Sequence, residues 1–382
     1  TTLGPTLDLQ DIDGNGITDV FLCTEKNDSL FLTIIDDLYG RPTTTREYFL
    51  DLINQYNDNG DYMFTPGGIS DLNGDGSPEY VMAINGGHSL QPRRVYAIDI
   101  QNDSVLKSPH SGAAVVSLDL FDLDKDGRDE ILLNTVAPEN FKSPIPFRDS
   151  ISWMMILDEN LQFYQAPLPR NSAPSSLSIE PFTYEGDTYL LTYHRYREGD
   201  DYNGQIAIYD ESLALIKERI LRGQTQSRYQ IHRVEGGSNL DDIKFIHAAG
   251  TKTYSFNLQC VDSVSNETPF AYNAAVYLDA NADGDKEYIF LATNGVHIFS
   301  KDFIESARIP LSVEERNPRI LISLIEEGEA YPLLHVQLGQ LQLTTRYEKN
   351  PWFIYRELIY PGIFLVLFGM FFWWVFVQNT LV

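Results

Sequence analysis

The chain has 382 residues, 43% hydrophobic and 12% aromatic, enough for one large repeat domain or two to three ordinary ones. Its 54 acidic residues against 28 basic ones give a formal charge of −26, which argues against nucleic acid as a partner. Two cysteines, Cys23 and Cys260, exclude a cysteine-stapled scaffold, and each reads as a small buried strand residue, with a pairing between them left open.

The first recurring element comes almost at once. Asp11, Asp13, Asn15, Gly16 and Asp19 follow the spacing D-x-D-x-N-G-x-x-D and run into the strand VFLCT. Asp71, Asn73, Asp75, Gly76 and Glu79 repeat it before YVMAI. Asp122, Asp124, Asp126, Gly127 and Glu130 repeat it again between the apolar alternations Val116, Leu118, Leu120 and Ile131, Leu133. The last copy is Asp279, Asn281, Asp283, Gly284 and Glu287, before YIFLAT. Oxygen side chains at positions 1, 3, 5 and 9, with glycine at 6 for the tight turn, suit a hard cation such as Ca²⁺. Position 7 adds a backbone carbonyl, from Ile17, Ser77, Arg128 and Asp285 in turn. An EF-hand needs a helix on each side and a bidentate Glu at position 12, where the third loop has Leu133, so strand, loop and strand is the expected order. A single such loop is also compatible with a plain acidic glycine turn; four with one spacing point to metal. Four bound divalent ions would add eight charges and bring −26 to about −18, so the metal-free chain is expected to be less stable.

A second element recurs beside the first: an apolar strand running into a turn and another strand. It appears near Asp36, Asp99, Asp158, Asp210, Asn257, Ser300 and Leu338, in steps that shorten from 63 to 38 residues. Seven units of about fifty residues result, with loops in the first, second, third and sixth. Tyr184-Glu185-Gly186-Asp187 in the fourth is expected as a plain turn, and Ser238–Ile243 in the fifth as a shortened loop. The fold class expected is all-β: a seven-bladed β-propeller of four-stranded blades, a ring that removes exposed sheet edges. A β-solenoid and an eighth blade within the long first step are the alternatives.

The four acidic loops, with the run DEILLNTVAP behind the third, resemble the calcium-binding repeats of the integrin-alpha N-terminal (FG-GAP, or VCBS) β-propeller family. The resemblance covers about residues 1–345 and is to the repeat class rather than to integrins. It implies up to four Ca²⁺ and a module that binds a protein or glycan ligand, as a receptor, sensor or adhesion ectodomain or as a docking subunit of a membrane complex. Some relatives are calcium-dependent polysaccharide lyases, which is the rival expectation. No nucleophile elbow, zinc spacing, phosphate loop or dinucleotide fingerprint is present, so no catalytic residue is assigned.

On the face opposite the metal loops, repeats two, three and four have long connections, NGGHSLQPRR, NTVAPENFKSPIPFRDS and YHRYREGDDYNG. They hold His88, Arg93, Arg94, Arg148, His194, Arg195 and Arg197, an expected surface for an anionic or carbohydrate ligand. The competing expectation is that these side chains pair with the chain's own acidic surface. His88 and His194 are the only histidines that suit the lyase.

Residues 346–357 form an expected linker and 358–378 an expected transmembrane helix. Leu358 to Val377 are twenty residues without a charge, the length of the hydrocarbon layer, with Tyr360 at one end and Trp373 and Trp374 toward the other. Basic residues Arg346, Lys349 and Arg356 precede the helix and would place the propeller in the cytoplasm. Calcium loops argue for the extracellular or periplasmic side, and they are given more weight because Val382 reads as a truncation. A single-pass protein of the cell membrane is expected.

Overall fold

The computed structural model describes residues 7–36, 45–53, 62–87, 91–141, 144–221, 230–233, 243–247, 250–265, 270–280, 287–292, 295–300, 304–310, 320–325, 333–338 and 341–346, with Phe368 and Met370. These residues are nearly all β. The first sheet is β1 (Leu7–Gln10), β2 (Asp19–Lys26), β3 (Ser29–Ile35) and β4 (Thr45–Leu52), antiparallel and in chain order. The second repeats this with β5 (Tyr62–Ser70), β6 (Glu79–Gly86), β7 (Arg93–Asp99) and β8 (Ser104–Lys107). Next come β9 (Ala114–Phe121), β10 (Glu130–Ala137), β11 (Ile151–Leu157) and β12 (Leu168–Ser172), then β13 (Ser175–Tyr184), β14 (Asp187–Glu198), β15 (Asp201–Asp210) and β16 (Leu215–Leu221).

These two groups share one eight-stranded sheet. On its side away from β9, β10 pairs with β11 at Ile131–Leu133 and with β13 at Thr135–Ala137. At the changeover Asn134 donates to Ser117 and Asp119, and its Oδ1 accepts the Ile179 amide at 2.6 Å. Further four-stranded sheets are β17 (Gln230–Arg233), β18 (Ile243–His247), β19 (Gly250–Tyr254) and β20 (Cys260–Ser265), and β21 (Phe270–Leu278), β22 (Glu287–Ala292), β23 (Gly295–Phe299) and β24 (Glu305–Pro310). Strands β25 (Ile320–Ile325), β26 (Leu333–Leu338) and β27 (Leu341–Arg346) form a sheet of three. The chain divides into two compact units, with β1 to β16 in the first and β21 to β27 in the second.

The two-residue period of a strand explains the packing of the first unit. Strand β6 is buried along its whole length. Its Tyr80, Met82 and Ile84 meet Phe21, Leu30, Leu32 and Ile34 of the first sheet, and Phe21 stacks on Tyr80 at 3.9 Å. The alternate residues Val81 and Ala83 face Val115, Leu118, Ile131 and Leu133 on the other side. A third layer sets Leu132, Met154 and Ile156 against Leu177, Ile179 and Leu190. The sheet of β5 to β8 is therefore an apolar slab between the groups on either side of it, and each fully buried Leu or Ile contributes about 1.5–3 kcal/mol.

Six of the seven recurring strand-turn-strand elements coincide with the third strand of a four-stranded group: β3, β7, β11, β15, β19 and β23. The seventh falls on β26 and β27. In the fourth repeat the expected long connection is a hairpin: β14 runs to Glu198 and β15 starts at Asp201. Tyr193 to Glu198 stay paired with β15 residue by residue, so they continue the ladder rather than loop out. Cys23 is buried as expected, but Cys260 is exposed near the start of β20, and the two form no disulfide. The apolar segment 358–378 lies outside the described residues apart from Phe368 and Met370, both helical and exposed. No helix among the described residues is long and apolar enough to cross a membrane. The linker 346–357 likewise lies outside them except for Arg346.

Candidate metal centres

Each acidic nonapeptide joins the first two strands of its group: β1 to β2, β5 to β6, β9 to β10 and β21 to β22. The turn is tied by its own carboxylates. Asp11 accepts the amides of Asn15 at 3.1 Å and Gly16 at 2.7 Å. Asp71 accepts those of Asp75 at 3.1 Å and Gly76 at 2.9 Å, and Asp122 accepts that of Gly127 at 3.0 Å. To point these amides inward, position 6 takes φ of +81° at Gly16, +89° at Gly76 and +91° at Gly127, a region glycine enters without steric cost.

The position-9 carboxylate closes the turn from the far side. It accepts the position-2 amide in all four copies: Ile12 to Asp19 at 3.1 Å, Leu72 to Glu79 at 2.8 Å, Leu123 to Glu130 at 2.8 Å and Ala280 to Glu287 at 3.0 Å. Asp19, Glu79, Glu130 and Glu287 are all buried. So are Ile12, Leu72, Leu123 and Ala280, apolar anchors that press each loop into its sheet. The spacing of ligands does not reveal this anchor, although the apolar residue at position 2 of every acidic loop is its signal.

Burial at position 9 has an electrostatic cost. Loss of water pushes the Glu130 carboxyl up to about 7, with the charges of Asp124, Asp126 and Asp122 adding to the rise against the opposing Leu123 hydrogen bond. Glu79 is raised for the same reason, helped by Asp99, Asp75 and Asp71. In the first loop Asp11, Asp13 and Asp19 bring one oxygen each within 4.8 Å of one another, and in the third Asp122, Asp124 and Glu130 do the same. Asp122 also has a buried Oδ1 with no hydrogen-bond partner among the described residues. Converging anionic oxygens, one of them orphaned, fit a hard cation.

In the second loop the Asn73 amide donates to Glu79 Oε1 at 2.8 Å, while Asp71, Asp75 and Glu79 are not among the carboxylate groups whose oxygens converge. At position 7, Ser77 also hydrogen-bonds Gln101, Arg128 turns its side chain back on Asp126, and Ile17 is exposed. Of the fourth loop, Asp279 and Glu287 are described, while Asn281, Asp283 and Asp285 lie outside the described residues.

The basic residues of the opposite face have other employment. Arg93 and Asp149 form a buried ion pair at 3.0 Å. Arg93 also donates to Gly112 O at 2.7 Å, Gly86 O at 3.1 Å and Asn140 Oδ1 at 2.6 Å. His194 is buried on β14 with Nε2 3.1 Å from Ser152 Oγ, and burial, with Arg170 nearby, pushes its pKa down to about 4. Neither side chain is placed to meet a ligand from solvent.

Arg94 donates to Ser108 O at 2.7 Å and Asp51 at 3.3 Å, and Arg148 to Phe141 O at 3.1 Å. Arg195 lies 4.1 Å over the Tyr202 ring, and Arg197 is exposed, bonding Gly199 O and Asp200. His88 lies outside the described residues.

No family model matches the chain, and no curated protein matches it. Among solved structures it is similar to BBS1N in complex with ARL6DN, soaked with mercury. That likeness has a TM-score of 0.52 at 10% identity and covers 89% of this chain and 91% of that one. The dihydro-heme d1 dehydrogenase NirN in complex with DHE gives a TM-score of 0.45 at 13% identity over 85% of this chain and 62% of that one. The V. cholerae biofilm matrix protein Bap1 gives 0.32 at 12% identity over 82% and 71%. The fold is a β-propeller. At such identities the likeness to BBS1N speaks for the fold alone.

Proposed function

We propose that the chain is a calcium-loaded, seven-bladed β-propeller that serves as a protein-docking module, held on the extracellular or periplasmic side of a membrane by the helix at 358–378. The observation that carries the calcium reading is the buried carboxylate at position 9 of all four loops, folded onto the position-2 amide. A buried anion among other anions needs a counter-charge. Asp11, Asp13, Asn15 and Asp19 would hold an ion in the first loop, Asp71, Asn73, Asp75 and Glu79 in the second, and Asp122, Asp124, Asp126 and Glu130 in the third. Asp279, Asn281, Asp283 and Glu287 would hold the fourth, and the carbonyls of Ile17, Ser77, Arg128 and Asp285 add one ligand each. Bound Ca²⁺ would supply the positive charge that balances these carboxylates and would fix the edge of the four blades that have a loop.

Seven strand-turn-strand elements and seven successive strand groups support the blade number. Docking of a protein is supported by the fold class, since BBS1N is a propeller crystallised with a protein partner. Of the two histidines suited to an enzyme reading, His194 is buried against Ser152, and no catalytic residue is proposed.

The test is calorimetric titration of the full chain, stripped with chelator, with CaCl₂, alongside melting curves. Calcium at a hundred times its dissociation constant stabilises the native state by about 2.7 kcal/mol per site, a rise of several degrees. Identical melting with calcium and with EDTA, and no heat of binding, would refute the reading.

A further inference from the structure

Arg128 occupies position 7 of the third loop, where the others have Ile17, Ser77 and Asp285. Its Nε donates to Asp126 Oδ2 at 3.1 Å and its Nη2 reaches the same oxygen. Its backbone amide takes Asp126 Oδ1 at 2.9 Å, and Nη1 donates to Glu159 Oε1 at 2.9 Å. One residue thus engages both oxygens of the position-5 carboxylate. The equivalent Asp75 of the second loop meets only the Ser77 amide at 2.9 Å and the Asn102 side chain at 3.5 Å, and has no ion pair among the described residues.

Charge points the same way. The third loop has four carboxylates at ligand positions where the first and second have three, and Arg128 brings its net charge back to theirs. A fixed guanidinium a few ångströms from an incoming dication repels it and withholds one of its ligands. We propose that Arg128 is a resident counter-cation that weakens calcium binding at the third loop relative to the first two. This loop then fills and empties at calcium levels where those two stay loaded. The inference rests on the calcium reading above and names the residue that grades the sites.

Tyr164 offers a site-specific reporter, because its ring packs against the apolar cluster that includes Leu123 of the third loop. Terbium bound in the third loop should be sensitised by this ring, and Tyr164→Phe should remove that signal. Calcium competition against the Tyr164-dependent terbium luminescence gives the affinity of this loop in the full chain. Arg128→Gln should tighten it roughly three- to tenfold at low salt, and the gain should shrink in 1 M salt as exposed charges are screened. Arg128→Lys, which keeps the charge, should stay within about twofold of the parent protein. Equal or weaker calcium binding by Arg128→Gln, with terbium and calcium still bound, overturns the role of Arg128 and leaves the calcium reading standing. Absence of any terbium or calcium binding in the parent protein overturns both.

Discussion

Replacing Asp149 by alanine should be among the most damaging single substitutions outside the acidic loops. Asp149 is fully buried and accepts four hydrogen bonds: from Arg93 Nη1 at 3.0 Å, the Asn140 amide at 3.1 Å and the Phe141 amide at 3.1 and 3.2 Å to its two oxygens. Arg93 is 2% exposed and lies 4.9 Å over the Phe141 ring, so its charge has no route to water once Asp149 is gone. Burial already lowers the Arg93 pKa, and Asp149 is what opposes the fall. Breaking a buried pair on one side costs about 3–5 kcal/mol, most of it the uncompensated charge. Urea unfolding of the full chain in saturating calcium should show that loss as a large drop in midpoint. A double substitution, Arg93→Met with Asp149→Leu, should recover more than half of it, because no charge is then stranded. A midpoint for Asp149→Ala corresponding to less than about 1 kcal/mol would mean that Arg93 is not closed off from water and would refute the argument.

Glu180 provides a pH test away from the loops. Burial, with the charge of Asp119, pushes its carboxyl up to about 7 in the folded chain. Below about pH 4.5 the acid is neutral in both folded and unfolded states and costs nothing; between 4.5 and 7 only the unfolded state ionises, so stability falls, by about 3 kcal/mol in total. Glu180→Gln should remove that slope in melting curves taken from pH 5 to 8. Leu123→Ala, at the buried position 2 of the third loop, should cost about 2–5 kcal/mol and weaken calcium binding at that loop, both read in one thermal titration. A maleimide probe should label Cys260 in the native chain, whereas Cys23, buried and with its thiol pushed up to about 12, should react only on unfolding.

The turn geometry of the acidic loops was legible because everything that makes it is local. Ligands at positions 1, 3, 5 and 9 and the glycine at 6 fall within nine residues, and the amides they tie belong to the same turn. Strand alternation was legible for the same reason, down to the third strand of six groups. What stayed hidden depends on neighbouring sheets. Arg93 looks like a surface cation in its own segment, and only Asp149, 56 residues away, makes it an interior one. His194 is buried through Ser152 and the long pairing of β14 with β15, which the string of Tyr, His and Arg residues concealed by resembling a polar loop. Cys260 is exposed on its sheet although its composition suggested burial. The apolar position 2 was in plain view, but it acquires meaning only once the position-9 carboxylate is seen to fold onto its amide.

The most direct measurement is anomalous diffraction from crystals of the full chain grown in calcium. Four peaks are predicted, each about 2.3–2.6 Å from the carboxylate oxygens of one acidic loop. Solvent-level density among Asp11, Asp13 and Asp19, and likewise among Asp122, Asp124 and Glu130, at millimolar calcium would contradict the account.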